Sequence, residues 1–452
     1  MEPTPQYQWR NWNGNLSCTA DLYRPETLDE LVAAVRRAAP RGRIRPIGNS
    51  CSWSPLVPTT GSLIDLSRLN RMLSVDRSGD QPTVRIEAGI SMRDLVALTK
   101  KEGLTLISPT IFQGVAMGGA IGVGAHGTGF HASTLSDDVV SLTLVTASGE
   151  VLELDQRNVD RLDAARVALG AFGVIYAITL RCAPAYNVNV EDRFIPRQHV
   201  LANLDDLYSS YHFIELFWFP FSDMMWCKLM NRTTETRDLM TCEQKVSSAL
   251  DYAATMFSGK WVIPFVANVM PALTPLAMKM APFFAVTPGF TIEPASVEFH
   301  YQAAYPRCWD MSWGVALEDT KHAWELSMEL VERFARDKKY PVNMVVHCRF
   351  IGPSAAWLSP AHGRAMCDIE IVTCRGTPGI EPFYQAYSDA MLTIPSARPH
   401  WGKYITAPKT IRARYPKMDD FLALRAQLDP DGVFLNEWLE DAVFQLRPRS
   451  AG

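Results

Sequence analysis

The segment GVAMGGAIGVGAHGTG, residues 114–129, holds seven glycines in sixteen positions. Without Cβ atoms its backbone amides can come close to a ligand and form an anion-binding nest, which suits a phosphate-bearing cofactor. Gly122, Gly124 and Gly127 spell G-x-G-x-x-G. A dinucleotide fingerprint of that kind needs a helix straight after its glycines and an acidic residue about twenty positions on. The following GTGFHAS, residues 127–133, is poor helix sequence. A second segment, RPIGNSCSWSP at 45–55, sets small polar residues after a strand end, where a loop can wrap a pyrophosphate. Two such loops in one half of the chain point to a single extended cofactor, the bland alternative being two ordinary surface turns.

The elements around these loops read as short strands alternating with helices. Leu28, Leu31, Val32 and Val35 fall at helical spacing after Pro25, a strand begins at Ile44, and residues 83–88 alternate as a half-buried strand does. Ser91 with Asp94 resembles a capping box for a helix ending near Gly103. Apolar runs at 139–146 and 151–154 flank Ala147, Ser148 and Gly149 and read as a hairpin, and 174–180 is a further strand. Past Cys182 the sequence turns rich in aromatic residues, methionine and proline, so a domain boundary is placed there. A helix around Met418–Gln427, a turn at 429–432 and the apolar run 433–435 predict a C-terminal segment packed on a core.

The length of 452 residues and 47 % apolar composition suit two domains with large cores. With 44 basic against 48 acidic residues and no long like-charge run, the electrostatic footprint of nucleic-acid binding is absent. The nine cysteines lack Cys-x-x-Cys pairs and no histidines cluster at metal-ligand spacing, so the expectation is reduced thiols, no metal, and a cytoplasmic protein. The N-terminus carries no secretory pattern. Trp261–Met278, between Lys260 and Lys279, is uncharged and near spanning length, but Pro264, Pro271 and Pro275 interrupt it. Three readings stay open: buried or cap-like helices, peripheral membrane contact through residues 261–286, or a span.

On its two loops the chain resembles the FAD-binding fold of vanillyl-alcohol oxidase and its relatives, and within it the aldonolactone oxidase group, with alditol oxidases nearby. Further carriers are GAFGVIY at 170–176, RPHWGK at 398–403, YPKMDDFL at 415–422 and LDPDGVFLN at 428–436. The resemblance implies an α+β, two-domain architecture: an FAD domain over 1–182, an inserted substrate (cap) domain over 183–414, and a C-terminal segment, 415–452, returning to the FAD domain. It implies FAD as cofactor and hydride transfer from a C–OH carbon of a sugar-1,4-lactone or polyol, with O₂ or another acceptor reoxidising the flavin.

In the first loop the implied cofactor contacts are Pro46, Ile47, Gly48, Asn49, Ser50, Cys51 and Ser52. Thr110, Ile111, Gly118, Gly119, Gly122 and Val123 follow, then Ala125, His126, Gly127, Gly173 and Val174. Lys403 is expected near the flavin pyrimidine edge, where a cation stabilises anionic reduced flavin. Arg349 takes the arginine place of the family's Glu-x-Arg pair, to bind substrate oxygens or the flavin. His400 belongs to the substrate pocket or serves as a structural hydrogen-bonding group.

Three departures qualify these expectations. Cys51 stands where covalent members carry histidine, which excludes the histidyl link and favours non-covalent FAD, with a thioether or simple packing left to the thiol. His347 replaces the glutamate of Glu-x-Arg and becomes the candidate base for the hydroxyl proton. Thr110 stands where oxidases of the group have glycine, so slow reaction with O₂ is expected. Two rival readings are a tailoring oxidoreductase for a larger, more apolar metabolite and a flavin-binding protein without catalysis.

Overall fold

The expected first helix forms as α1 (Leu28–Ala38), after strands β1 (Thr4–Arg10) and β2 (Ser17–Tyr23) and before β3 (Ile44–Ile47) and β4 (Ser62–Asp65). The Glu30 amide donates to the Thr27 hydroxyl oxygen at 3.2 Å, and Leu31, Ala34, Val35 and Ala38 make the buried stripe. This computed structural model describes residues 2–236, 257–285, 288–299 and 306–446. The first four strands form one sheet in the order β1-β2-β4-β3, with β4 parallel to both β2 and β3. The small-residue loop thus leaves the C-terminal end of a parallel strand, the usual place for ligands in such sheets.

The next elements are β5 (Met72–Asp76), β6 (Thr83–Glu87), α2 (Met92–Lys101), β7 (Leu104–Leu106), α3 (Met117–Gly122), β8 (Val139–Val145), β9 (Val151–Leu154) and β10 (Val174–Pro184). The strands build an antiparallel sheet in the order β5-β6-β10-β8-β9, with β7 also on β10. The glycine segment has the composition of a loop, whereas its middle makes the single turn and a half of α3. Small residues permit this, because Gly118 packs on Ala88 and its amide donates to the Ala88 carbonyl at 2.7 Å.

One core joins the second sheet to the C-terminal segment. Phe421, on the helix Met418–Leu428, stacks on Phe172 with centroids 4.6 Å apart, and Ile44 N–H donates to the Val433 carbonyl at 2.8 Å. Trp401, Ile405 and Ile411 already lie in this core, upstream of the expected return at residue 415.

The third sheet contains β11 (Asn187–Pro196), β12 (Phe213–Trp218), β13 (Met224–Thr233), β14 (Gly289–Pro294), β15 (Cys308–Ala316), β16 (Val346–Ile351), β17 (Met366–Cys374) and β18 (Arg398–Pro399). Its order is β14-β11-β13-β12-β16-β17-β15-β18, and every pair is antiparallel. Helices Thr320–Arg336 and Ile380–Leu392 cover one face, where Trp324, Phe383 and Tyr387 meet Leu216, Cys348, Ile369 and Trp313. Side chains alternate along each strand, so the intervening residues of these four strands face the other way. Those residues include Glu215, Phe217, His347, Arg349, Asp310, Asp368 and Glu370.

Arg45 ties the first half to the chain's end. Its guanidinium donates to the carbonyls of Leu56 at 2.7 Å, Leu169 at 2.6 Å, Gly170 at 3.2 Å and Phe434. Arg45→Met strips four buried acceptors of a charged donor and should cost roughly 3 kcal/mol. The denaturant midpoint should fall while far-UV dichroism at zero denaturant is kept, and an unchanged midpoint would show that the junction does not depend on Arg45.

Candidate functional site

Both small-residue loops and the open face of the third sheet border a single cavity. Its lining runs from Pro46–Ser54 and Thr110–Phe112, past Gly118, Gly119, Gly122, Val123, Ala125, His126 and Gly173, to Asp310, His347, Arg349, Glu370, His400 and Lys403. Two residues expected at the cofactor are not brought there. A Cβ on Gly127 would run into the Pro109 carbonyl oxygen, so this glycine permits loop packing, and Val174, the first residue of β10, is wholly buried in the core.

The cradle is shaped for a ligand that packs on bare backbone. A Cβ at Gly119 or Gly122 meets nothing within 4 Å, so a side chain there would occupy cavity space. Gly48 serves closeness between the loops, because its Cβ would stand 2.6 Å from that of Ala116. Cys51 directs its thiol to the carbonyls of Asn49 at 3.3 Å and Gly114 at 3.7 Å, and burial pushes the thiol up to about 11. At neutral pH it is a thiol, not a thiolate nucleophile. These features fit an extended, phosphate-bearing aromatic cofactor such as FAD, held by residues 46–52, 110–111 and 118–126.

The far end of the cavity is a buried charge cluster. Arg349 donates to Asp368 Oδ2 at 3.3 Å, Glu370 Oε2 at 3.2 Å and the His126 carbonyl at 3.3 Å. The Lys403 ammonium is bound by Asp310 and Glu370 and lies 5.0 Å above the Trp53 ring. Burial alone would raise Glu370; Lys403, then Arg349 and His347, overcome it and hold the carboxyl well below its usual range. Asp310 goes the other way, because burial and then the Glu370 charge raise it well above the ordinary value despite Lys403. Burial would lower Lys403 and Arg349, and the carboxylates around them raise both, so each stays a cation.

The histidines divide by environment. Burial, then the neighbouring His126 and Lys403, lower His400 to about 3, so it is neutral, and its Nδ1 accepts from the Gly402 amide at 3.0 Å. This is the structural hydrogen bond, with the ring still lining the cavity. His347 stacks on Phe217 with centroids 4.2 Å apart and planes at 7°. Its Nδ1 is 3.5 Å from Glu370 Oε2, while its buried Nε2 has no hydrogen-bond partner among the described residues and is 3.9 Å from Glu215 Oε2.

Asp310, Asp368 and Glu370 were not singled out in the sequence. Their signal is an acid set between apolar neighbours in otherwise apolar strands, Asp310 in CWDMSWGVA at 308–316 and Asp368 and Glu370 in MCDIEIVTC at 366–374. Carboxylates seldom occupy a buried strand unless paired or functional.

Known proteins resemble the chain over nearly its whole length. The family model described as D-arabinono-1,4-lactone oxidase matches residues 178–442, and one described as FAD binding domain matches 20–155. L-gulono-1,4-lactone dehydrogenase of Mycobacterium tuberculosis is 32 % identical over 437 residues, covering 95 % of this chain and 97 % of the relative. L-gulonolactone oxidase of Scyliorhinus torazame is 28 % identical, covering 98 % and 99 %. Cholesterol oxidase from B. sterolicum superposes with a TM-score of 0.81 at 18 % identity over 98 % and 97 % of the two chains, a likeness of fold.

Gly122→Val fills the cradle without touching the core. It should weaken FAD binding at least about tenfold, ~1.4 kcal/mol, when the apoprotein is titrated by flavin fluorescence quenching. Unchanged affinity would place the cofactor elsewhere.

Proposed function

The chain belongs to the D-arabinono-1,4-lactone oxidase family, and on that premise we propose that it removes hydride from a C–OH carbon of a sugar-1,4-lactone or related polyol, using FAD. One observation carries the reading: the glycine cradle and a buried set of two cations (Arg349, Lys403), two carboxylates (Asp310, Glu370) and His347 open into the same cavity. When bound, FAD supplies the hydride acceptor at its N5. Arg349 and Lys403, fixed by their carboxylates, hold substrate oxygens or the negative charge that reduction brings. His347 takes the hydroxyl proton on its unpartnered Nε2.

Non-covalent binding of FAD is supported by the absence of histidine at position 51 and by the protonated Cys51 thiol. Thr110 lines the cavity, and a β-branched side chain there supports slow access of O₂ and a different electron acceptor. A second substrate reading, a larger apolar alcohol, is favoured by the wall that Trp12, Phe217, Met344 and Val372 give the cavity. Anaerobic stopped-flow bleaching separates these readings. Aldono-1,4-lactones should reduce the flavin faster than alditols or large apolar alcohols, and the reverse order would favour the tailoring enzyme. Thr110→Gly should speed reoxidation by O₂ at least about tenfold (~1.4 kcal/mol in the barrier); no change would remove Thr110 as the obstruction.

We further propose a cytoplasmic protein that rests on a membrane surface. The described cysteines are free thiols, as suits a reducing compartment. No single described helix is long and apolar enough to cross a bilayer, but Lys260–Val269 and Pro271–Pro282 form a pair bent by 110°. Trp261, Phe265, Val269, Leu273, Leu276 and Met280 are exposed on it. Its only charges are Lys260 and Lys279, which suits an anionic lipid surface. Ile263 and Ala267 root it against Trp12, Trp53 and Met344 beside the cavity. Co-sedimentation with phosphatidylglycerol vesicles should exceed that with phosphatidylcholine and should fall in the Trp261→Ala/Phe265→Ala double variant. Equal recovery of the variant would leave the segment to protein contacts.

A further inference from the structure

In the family's Glu-x-Arg pair the carboxylate and the guanidinium share one strand, and His347 removes that carboxylate from β16. The neighbouring strand restores it. In the β16–β17 register His347 stands opposite Glu370 and Arg349 opposite Asp368. Glu370 is 8 % exposed, lies 3.5 Å from His347 Nδ1, 3.2 Å from Arg349 Nη2 and in contact with Lys403, and borders the cavity. The other imidazole nitrogen, buried and 3.9 Å from Glu215 Oε2, has no hydrogen-bond partner among the described residues, and the ring, which lines the cavity, is held flat on Phe217.

We propose that Glu370 is the positioning carboxylate of the reaction, orienting His347 across the strand pair so that its Nε2 lone pair meets the substrate hydroxyl. This rests on the reading of the protein as a C–OH oxidoreductase. Nδ1–H points to Glu370, which fixes the tautomer and stabilises the imidazolium that forms. In the step, the substrate O–H bond breaks and an N–H bond forms at Nε2. The C–H bond breaks with its electron pair passing to bound FAD, the C=O bond forms, and the proton later leaves His347 for solvent. The charged and titratable groups around the ring are Glu215 on β12, Glu370 on β17 with Asp310 and Lys403 behind it, and Arg349 on its own strand.

The first test needs no turnover. Long-range ¹H–¹⁵N spectra of the flavin-loaded protein should show His347 protonated at Nδ1 only at pH 8, and Glu370→Gln should disturb that tautomer. An imidazolium held throughout pH 6–9, or an Nε2–H tautomer, overturns the proposal. In the second test, anaerobic flavin reduction should rise with pH in the wild type, and Glu370→Gln should move that limb down by about one pH unit or more. It should also lower the plateau at least about tenfold, towards the level of His347→Ala. Glu370→Asp should keep the limb. A purely structural role would lower rates without moving the limb, which contradicts the proposal. The exchange variant His347→Glu/Glu370→His restores both groups and should reduce flavin faster than either single exchange; a rate no better than the singles counts against the pairing. If no lactone or polyol bleaches the wild-type flavin, the reaction class fails, while the tautomer measurement still decides the pair.

Discussion

Two short hydrogen-bonded seams hold the cofactor loops against the sheet that carries the reactive side chains, and the rest of the site depends on them. At the first, Gly129 N–H donates to the Phe350 carbonyl at 2.6 Å and Thr128 Oγ1 to the Ile214 carbonyl at 2.6 Å, so the glycine segment docks across β12 and β16. At the second, Trp53 donates through its amide to Gly402 at 2.9 Å and through its indole to Cys308 at 2.7 Å, fastening the other loop to β15 and the turn bearing Lys403. These bonds, two from backbone amides and two from side chains, fix distance and direction together. A cofactor lying in the loops is thereby presented to His347 and Arg349 without any freedom of the two cores to drift apart.

The charge cluster obeys a second constraint, that buried ions must be paired. Arg349 and Lys403 each contact two carboxylates, and Glu370 contacts both cations. Removing Lys403 would leave Asp310 without its ion-pair partner, and such a loss at a buried charge costs several kcal/mol. The same coupling explains how neighbouring acids diverge, with Glu370 held ionised and Asp310 driven toward its neutral form. His400, close to two other cationic or basic groups, is left neutral and structural, while His347 faces carboxylates and keeps one nitrogen free of hydrogen bonds. Two histidines in one cavity acquire different chemistry from their surroundings.

Much of the first half was legible because its elements are locally encoded. The helical spacing from Leu28 to Val35, the alternation at 83–88 and the turn at 147–149 each name their structure within a few residues, and the glycines at 118–122 name their use. The helical character of α3 was hidden, since glycine disfavours helix and only packing on Ala88 and Ile90 secures it. The eight-stranded sheet was harder for a different reason. Its neighbours in space are far apart in sequence: β15 pairs with β17 and β12 with β16, so the meeting of Asp310, Glu370 and Lys403 is written in no local pattern. His347 drew notice as a departure from a motif, but its compensation by Glu370 exists only through register. Gly127 and Val174, cofactor contacts by the resemblance alone, lie off the cavity lining, the one packed on the Pro109 carbonyl and the other buried in the core.

The central claim is that the cradle holds FAD at the charged face. The measurement that tests it most directly is the visible spectrum of the purified protein, before and after acid precipitation, followed by anaerobic addition of an aldono-1,4-lactone. The account predicts a yellow protein whose flavin enters the supernatant on acidification and whose native absorbance bleaches with substrate. A colourless protein that takes up no added FAD would contradict it.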